Sequence, residues 1–221
     1  MCGRYTMHHA PARVEARFDV TQTHATPTER YNIAPMQMVP IVLEQEGARL
    51  LEAYQWGLVP SWAKDPGIGN KMINARAETL AEKPSYKQAL SRRRCLIASD
   101  GFYEWRTDGS LRQPMHIRRK DGALFAFAGL WEEWKHEDGT PLRTCTIITV
   151  APSDLMAAIH NRMPALLRPE DEAAWLDVAS TKAPGALSLP APYPAEWLEA
   201  FPVSRQVNVP TYENPALLNS L

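Results

Sequence analysis

The residues best suited to covalent chemistry are spread thinly along the chain, and Cys2 comes first. Once Met1 is lost, Cys2 would carry an α-amine and a thiol on adjacent carbons. Their ordinary pKa values, about 7.7–8.0 and 8.5, leave useful fractions of free amine and thiolate near neutrality. Such a 1,2-aminothiol condenses with an aldehyde to an imine and then closes to a five-membered thiazolidine. The same pairing also serves N-terminal-nucleophile hydrolases, where the amine is the base for the thiol. Cys2 alone therefore specifies a reactive N-terminus and leaves the electrophile open; the bland alternative is a small buried core residue.

Three further groups could support it. Glu104 lies in Asp-Gly-Phe-Tyr-Glu-Trp, between aromatics, and is either a solvent-facing charge or a group that exchanges protons at a site. His160, in Ala-Ile-His-Asn-Arg-Met-Pro, follows a short helix and by itself reads as a helix C-terminal histidine interacting with the dipole. Asn74 and Arg76, in Ile-Asn-Ala-Arg-Ala-Glu-Thr, are a weak signal that could equally be turn-forming and solvated. The common enzyme templates are missing: there is no P-loop of the GxxxxGK type, no GxSxG elbow and no HExxH. His8-His9 is a tandem pair whose side chains would diverge on a strand, which points to a chance surface pair and not to a metal site.

Composition narrows the classes. The chain has 221 residues, 45% hydrophobic and 22% charged, enough for a self-sufficient core. Cys2, Cys95 and Cys145 are odd in number and lack CxxC spacing, which argues against a disulfide framework and a thiolate zinc site. No uncharged run approaches a membrane span, and Met-Cys-Gly-Arg-Tyr has no signal-peptide apolar core, so a cytoplasmic protein is expected. The net charge of −1 hides an asymmetry: residues 1–120 carry 18 Lys/Arg against 12 Asp/Glu, and residues 121–221 carry 6 against 13. That is either drift or a basic face for a polyanion built by the first half.

The elements that must position these residues read mainly as strands. Asp-Gly pairs at 100–101, 108–109, 121–122 and 138–139 separate apolar or alternating runs over Cys95–Ala98, Phe102–Arg106, Pro114–Arg118, Ala123–Leu130 and Thr144–Val150, a hairpin pattern. Alternation puts Phe102 and Glu104 on one face and Tyr103 and Trp105 on the other. Pro40–Leu43 and Tyr54–Leu58 are further strands. Short helices are expected over Pro11–Asp19, Ser153–Ile159, Pro169–Val178 and Pro194–Phe201, several opening on proline. Nineteen prolines imply long ordered loops. The pattern predicts an α+β chain with one domain over residues 2–221, a curved, barrel-like and mainly antiparallel sheet, and peripheral short helices.

Taken together the motifs resemble a family. Met1-Cys2-Gly-Arg4-Tyr5, Arg30-Tyr-Asn32-Ile-Ala-Pro35, Trp56-Gly-Leu-Val-Pro60-Ser-Trp62, Asn74-Ala-Arg76-Ala-Glu78-Thr79, Arg94-Cys-Leu, Gly101-Phe-Tyr-Glu104-Trp105, Ala128-Gly-Leu-Trp131 and His160-Asn-Arg162-Met-Pro164 occur in the order of the SOS-response-associated peptidase (SRAP) domains, also called abasic-site processing proteins. The resemblance runs from residue 2 to about Val207; Asn161 departs from the Asp found in many relatives.

The resemblance implies a protein that binds abasic sites in single-stranded DNA and crosslinks to them through Cys2, with self-reversal and autoproteolytic removal of Met1. It implies that Cys2 is the nucleophile, that Glu104 and His160 move protons, and that Asn74 holds the adduct. Arg4, Arg76 and Arg162 would take phosphates, while Trp62 and Trp105 would stack on or wedge between bases, with a core role the alternative for Trp105. It calls for no cofactor, metal or membrane, and for a monomer that joins the nucleoid when bound to DNA. Two other readings remain: a cysteine peptidase acting on itself or on other proteins, and a non-covalent single-strand binding module, which would not need Cys at position 2.

Overall fold

The computed structural model describes residues 2–221, with the side chain of Asp108 left aside. Its strands are β1 (Arg4–Met7), β2 (Gln22–Thr23), β3 (Arg30–Ile33), β4 (Met38–Gln45), β5 (Ala48–Trp56), β6 (Asn74–Arg76), β7 (Arg94–Ser99), β8 (Gly101–Asp108), β9 (Leu111–Arg119), β10 (Phe125–Lys135), β11 (Pro141–Val150), β12 (Met163–Pro164), β13 (Leu166–Leu167) and β14 (Leu198–Pro202). Short helices α1 (Pro11–Arg17), α2 (Pro84–Arg92), α3 (Asp154–Ala157), α4 (Pro169–Leu176) and α5 (Ala183–Ala186) lie around them. Among the described residues, no helix is long and apolar enough to cross a membrane.

Five strands close on themselves in the order β5–β4–β7–β10–β11. Every contact in this ring is antiparallel except the closing one, where β11 runs parallel to β5 with Thr144 opposite Gln55 and Cys145 opposite Trp56. Its apolar interior, including Cys95, Ile97, Phe127, Ile147 and Trp56, is fully buried. A second, antiparallel sheet runs β14–β9–β8–β1–β3. Its inner face packs on the ring: Tyr5 meets Trp56 and Phe127 edge-on at 5.4 and 5.7 Å, and Phe102 meets Phe127 at 6.0 Å. Its outer face, with Tyr103 and Trp105, is covered by the C-terminal segment through Val203, Val207 and Leu217. The expected α+β, barrel-like, mainly antiparallel architecture is thus the one observed.

Local expectations fare unevenly. The Asp-Gly pairs at 108–109 and 138–139 do turn hairpins, β8–β9 and β10–β11. Those at 100–101 and 121–122 do not: they carry the chain from one sheet to the other, because β7 and β10 belong to the ring whereas β8 and β9 belong to the second sheet. A hairpin absent from the sequence reading joins β4 to β5 through Glu46 and Gly47, both at positive φ (51° and 77°), the conformation that matches strand twist in a two-residue loop. The helix expected over Pro194–Phe201 is instead a 3-10 turn, Ala195–Trp197, followed by β14. Pairing of Leu198–Pro202 with β9 overrides the helical spacing of Trp197 and Phe201. Helix α2 went unread in the sequence.

At the start of β8 the backbone must pass close to a buried histidine. A Cβ on Gly101 would stand 2.3 Å from Nε2 of His116 and 2.9 Å from Oγ1 of Thr6, so no side chain fits there. His116 itself is buried, and neither ring nitrogen is hydrogen-bonded among the described residues. Burial pushes its pKa down from 6.5 to about 3. The unfolded chain therefore takes up this proton first, and the stability it contributes is complete above pH 6.5 and is lost as the pH falls towards 3. Thermal midpoints should drop by roughly 3–5 °C per pH unit on acidification below about 6.5. His116→Leu should flatten that slope, and an unchanged slope would remove His116 as its source.

Candidate active site

The first residues of the chain are held by the second sheet. β1 pairs with β8 in one register, Arg4 opposite Tyr103, Tyr5 opposite Phe102 and Thr6 opposite Gly101. Phe102 joins the main core whereas Tyr103 and Trp105 join the outer cluster. By strand alternation Glu104 then shares the ring-facing side with Phe102, and it is 1% exposed. Cys2 is 0% exposed and belongs to that same core.

Cys2, Asn74 and Glu104 come together from three distant segments. The Asn74 Nδ2 donates to the carbonyl oxygen of Cys2 at 2.8 Å. β6, which carries Asn74, is itself fixed by β11, with Ile147 opposite Asn74 and Thr149 opposite Arg76. Oδ1 of Asn74 is buried and accepts no hydrogen bond from the described residues. The Cys2 Sγ donates to the carbonyl of Arg4 at 3.7 Å. Burial, and after it the negative charge of Glu104, push the Cys2 thiol far above its ordinary range. The thiolate expected near neutrality from reference values is therefore disfavoured in the folded protein, because those values presume contact with water. Loss of Met1 concerns a residue outside those described.

His160 stands after α3, half-buried, with Nδ1 accepting from the backbone N–H of Arg162 at 3.1 Å. Arg162 grips Glu78 with two hydrogen bonds, 2.6 and 2.9 Å, and donates to the carbonyl of Thr149 at 2.6 Å. It thereby ties the His160 segment to β11 and to the turn that follows β6. The paired guanidinium holds the Glu78 carboxyl below its usual range. Arg4 is half-buried, donates to the carbonyl of Gly3 at 2.8 Å, and has a buried Nε that finds no partner among the described residues. Arg76 is exposed.

The two tryptophans differ. Trp62 is 60% exposed and borders a cavity of about 320 Å³ with Lys64 and Lys71. Trp105 packs in the outer cluster and donates its Nε1–H to Asn208 at 2.8 Å. Of the three consecutive arginines, Arg94 turns inward, donating to the carbonyls of Leu90, Trp175, Asp177 and Thr181. Cys95 and Cys145 are buried core residues, as their apolar runs predict.

Two residues escaped the sequence reading. Glu78 is the partner that constrains Arg162; its only signal is its place within the Asn-Ala-Arg-Ala-Glu run. Asp100, read as a turn residue, is a buried carboxylate bonded to Thr6 and to the start of the segment after β1. The tandem histidines do not diverge either: β1 ends at Met7, and their rings lie 5.1 Å apart.

Known proteins resemble this chain throughout. Residues 1–210 match the family model described as SOS response associated peptidase (SRAP). A Bacillus subtilis protein, "Abasic site processing protein YoqW", is 44% identical over 223 residues covering 100% of both chains. The Gallus gallus "Abasic site processing protein HMCES" is 36% identical, covering 85% of this chain and 65% of its own. A crystal structure of a Bacteroides thetaiotaomicron protein superimposes with a TM-score of 0.90 at 28% identity, covering both chains in full.

Burial and charge at Cys2 predict a sluggish thiol. Disulfide-exchange reagents at neutral pH should modify the native protein at least about tenfold more slowly than free cysteine, whereas denaturation should release all three thiols. Glu104→Gln removes the charge opposing the thiolate and should speed modification of Cys2 several-fold. Rapid native labelling of Cys2 would contradict this picture.

Proposed function

The chain belongs to the SOS response associated peptidase (SRAP) family, and on that premise we propose that it processes abasic sites in single-stranded DNA by forming a covalent thiazolidine through Cys2. The observation that carries the reading is the meeting of Cys2, Asn74 and Glu104 at one buried point. The relatives' names supply the substrate, since an abasic sugar opens to the aldehyde that a 1,2-aminothiol requires.

The chemistry follows from the groups present. Loss of Met1, whether by an aminopeptidase or by attack of the Cys2 sulfur on the Met1 carbonyl, which exchanges the Met1–Cys2 amide for a thioester that water then hydrolyses to free methionine and thiol, frees the α-amine. The amine adds to the aldehyde carbon to give a carbinolamine, which loses water to become an imine. The Cys2 sulfur then adds to the same carbon while the thiol proton passes to the nitrogen, closing the ring with a net loss of one water. Because the thiol is held neutral, the amine is the first nucleophile and the sulfur the second.

Glu104 is the group that relays protons between amine, carbinolamine and thiol. His160 protonates the sugar ring oxygen as it opens. Asn74 holds the Cys2 carbonyl and keeps Oδ1 as an acceptor for a sugar hydroxyl. Arg76, exposed, and Arg4, with its unpartnered Nε, supply phosphate contacts. Arg162 does so only by sharing its bond to Glu78. Trp62 is the stacking surface; Trp105 serves as support. The protein acts as a monomer of one domain, in the cytoplasm and on the nucleoid.

A denaturing gel with an abasic single-stranded oligonucleotide tests this reading. Cys2→Ala should bind the strand yet leave no gel-stable adduct, and so should a chain blocked before Cys2; full crosslinking by the blocked chain would sink the aminothiol mechanism. Glu104→Gln should still bind but crosslink about 10²–10⁴-fold more slowly, the usual worth of a general acid–base. Rates within twofold of the parent would reduce Glu104 to a bystander. Non-covalent affinity should fall with salt, and Arg76→Ala should lessen the log–log slope by about 0.7, one phosphate's share on a single strand.

A further inference from the structure

Just beyond β1, His8 and His9 meet the passage between β7 and β8 at Asp100. The Nδ1 atoms of both histidines lie 2.9 Å from the same oxygen, Oδ2 of Asp100. The His9 nitrogen is aligned as a hydrogen bond; the buried His8 nitrogen lies equally close without that alignment. One donor atom from each of the three residues lies within 4.8 Å of the others.

Asp100 is prepared as a ligand. Its side chain is 2% exposed. Oδ1 accepts from Thr6 Oγ1 at 2.5 Å, and Oδ2 accepts from the His8 backbone N–H at 2.6 Å. Among the described residues no Lys or Arg forms an ion pair with it; its partners are imidazoles, which carry charge only when protonated. Buried carboxylates are ordinarily paired with a cation or coordinate a metal, so this one has a place for a cation.

We propose that His8, His9 and Asp100 form a binding site for a divalent transition cation, with zinc the best match. Two imidazoles and one carboxylate, with a fourth position open, are a zinc donor set. A tetrahedral ion at 2.0–2.2 Å from such ligands spaces them about 3.3 Å apart, so it enters by widening the present 2.9 Å contacts slightly. The imidazole edges provide the entrance, since the His8 side chain is 31% exposed and that of His9 10%. Tyr31 stacks on the His8 ring at 5.6 Å and 20°, fixing its orientation. The fourth ligand is then water. A bound ion clips the end of β1, which leads back to Cys2, onto the start of β8, which leads on to Glu104.

The test is zinc titration of the tag-free, metal-stripped full chain at neutral pH against a chromogenic chelator. One equivalent should bind. His8→Ala and His9→Ala should each weaken binding about 100-fold or more, given that even an outer partner is worth 10–100-fold. Cys2→Ser should bind as the parent does, which separates this site from the thiol. Absence of stoichiometric zinc in the intact chain, or zinc held equally well by both histidine variants, would overturn the proposal.

Discussion

The candidate site depends on β1, which follows directly on Cys2 and lies beside the strand that carries Glu104, and what holds β1 is its antiparallel pairing with β8 together with the insertion of Tyr5 and Met7 into the core. Burying side chains such as Met7 and Phe102 contributes about 1.5–3 kcal/mol each, enough to dock a strand that would otherwise fray at a chain terminus. Register matters as much as docking. A slip of one residue would turn Glu104 to the outer face and Tyr103 inward, separating the carboxylate from Cys2. Asp100 guards against that slip by holding Thr6 and His8 at the point where the chain leaves the ring for the second sheet.

From that pairing the rest of the site follows outward. The parallel closing contact between β5 and β11 fixes the far side of the ring, and β11 in turn carries β6 with Asn74. Arg162 then draws the segment after α3 onto the same edge through Thr149 and Glu78. Cys2, Asn74 and Glu104 thus converge because strands of one ring and one sheet are adjacent, not because any local motif brings them together.

This explains what could be read from the sequence. Parts of β4, β5 and β7 to β11 were legible from apolar or alternating runs, and Glu104's face from its aromatic neighbours, but the short strands β1, β3 and β6 were not read. Which sheet each strand joins was not: the Asp-Gly pair at 100–101 carries the same turn signal as that at 108–109, yet one changes sheets and the other makes a hairpin. The closing of the ring is non-local and leaves no local trace. Leu198–Pro202 was misread because pairing with β9 outweighed helical spacing. At the site, Cys2, Asn74 and Glu104 were recognisable as candidates, but the state of the thiol was not. Reference pKa values assume water, and the folded chain removes it. The convergence of His8 and His9 on Asp100 likewise depends on where β1 ends, which spacing alone does not disclose.

The central claim is that one carbon of an abasic sugar becomes bonded to both the nitrogen and the sulfur of Cys2. Mass spectrometry of a protease-digested adduct with an abasic oligonucleotide tests it most directly. The account predicts the adduct on the peptide that begins with Cys2 and lacks Met1, at the summed mass less one water, with no alkylatable thiol left on that residue. An adduct mapped to a lysine, or to a peptide that still carries Met1, would contradict it.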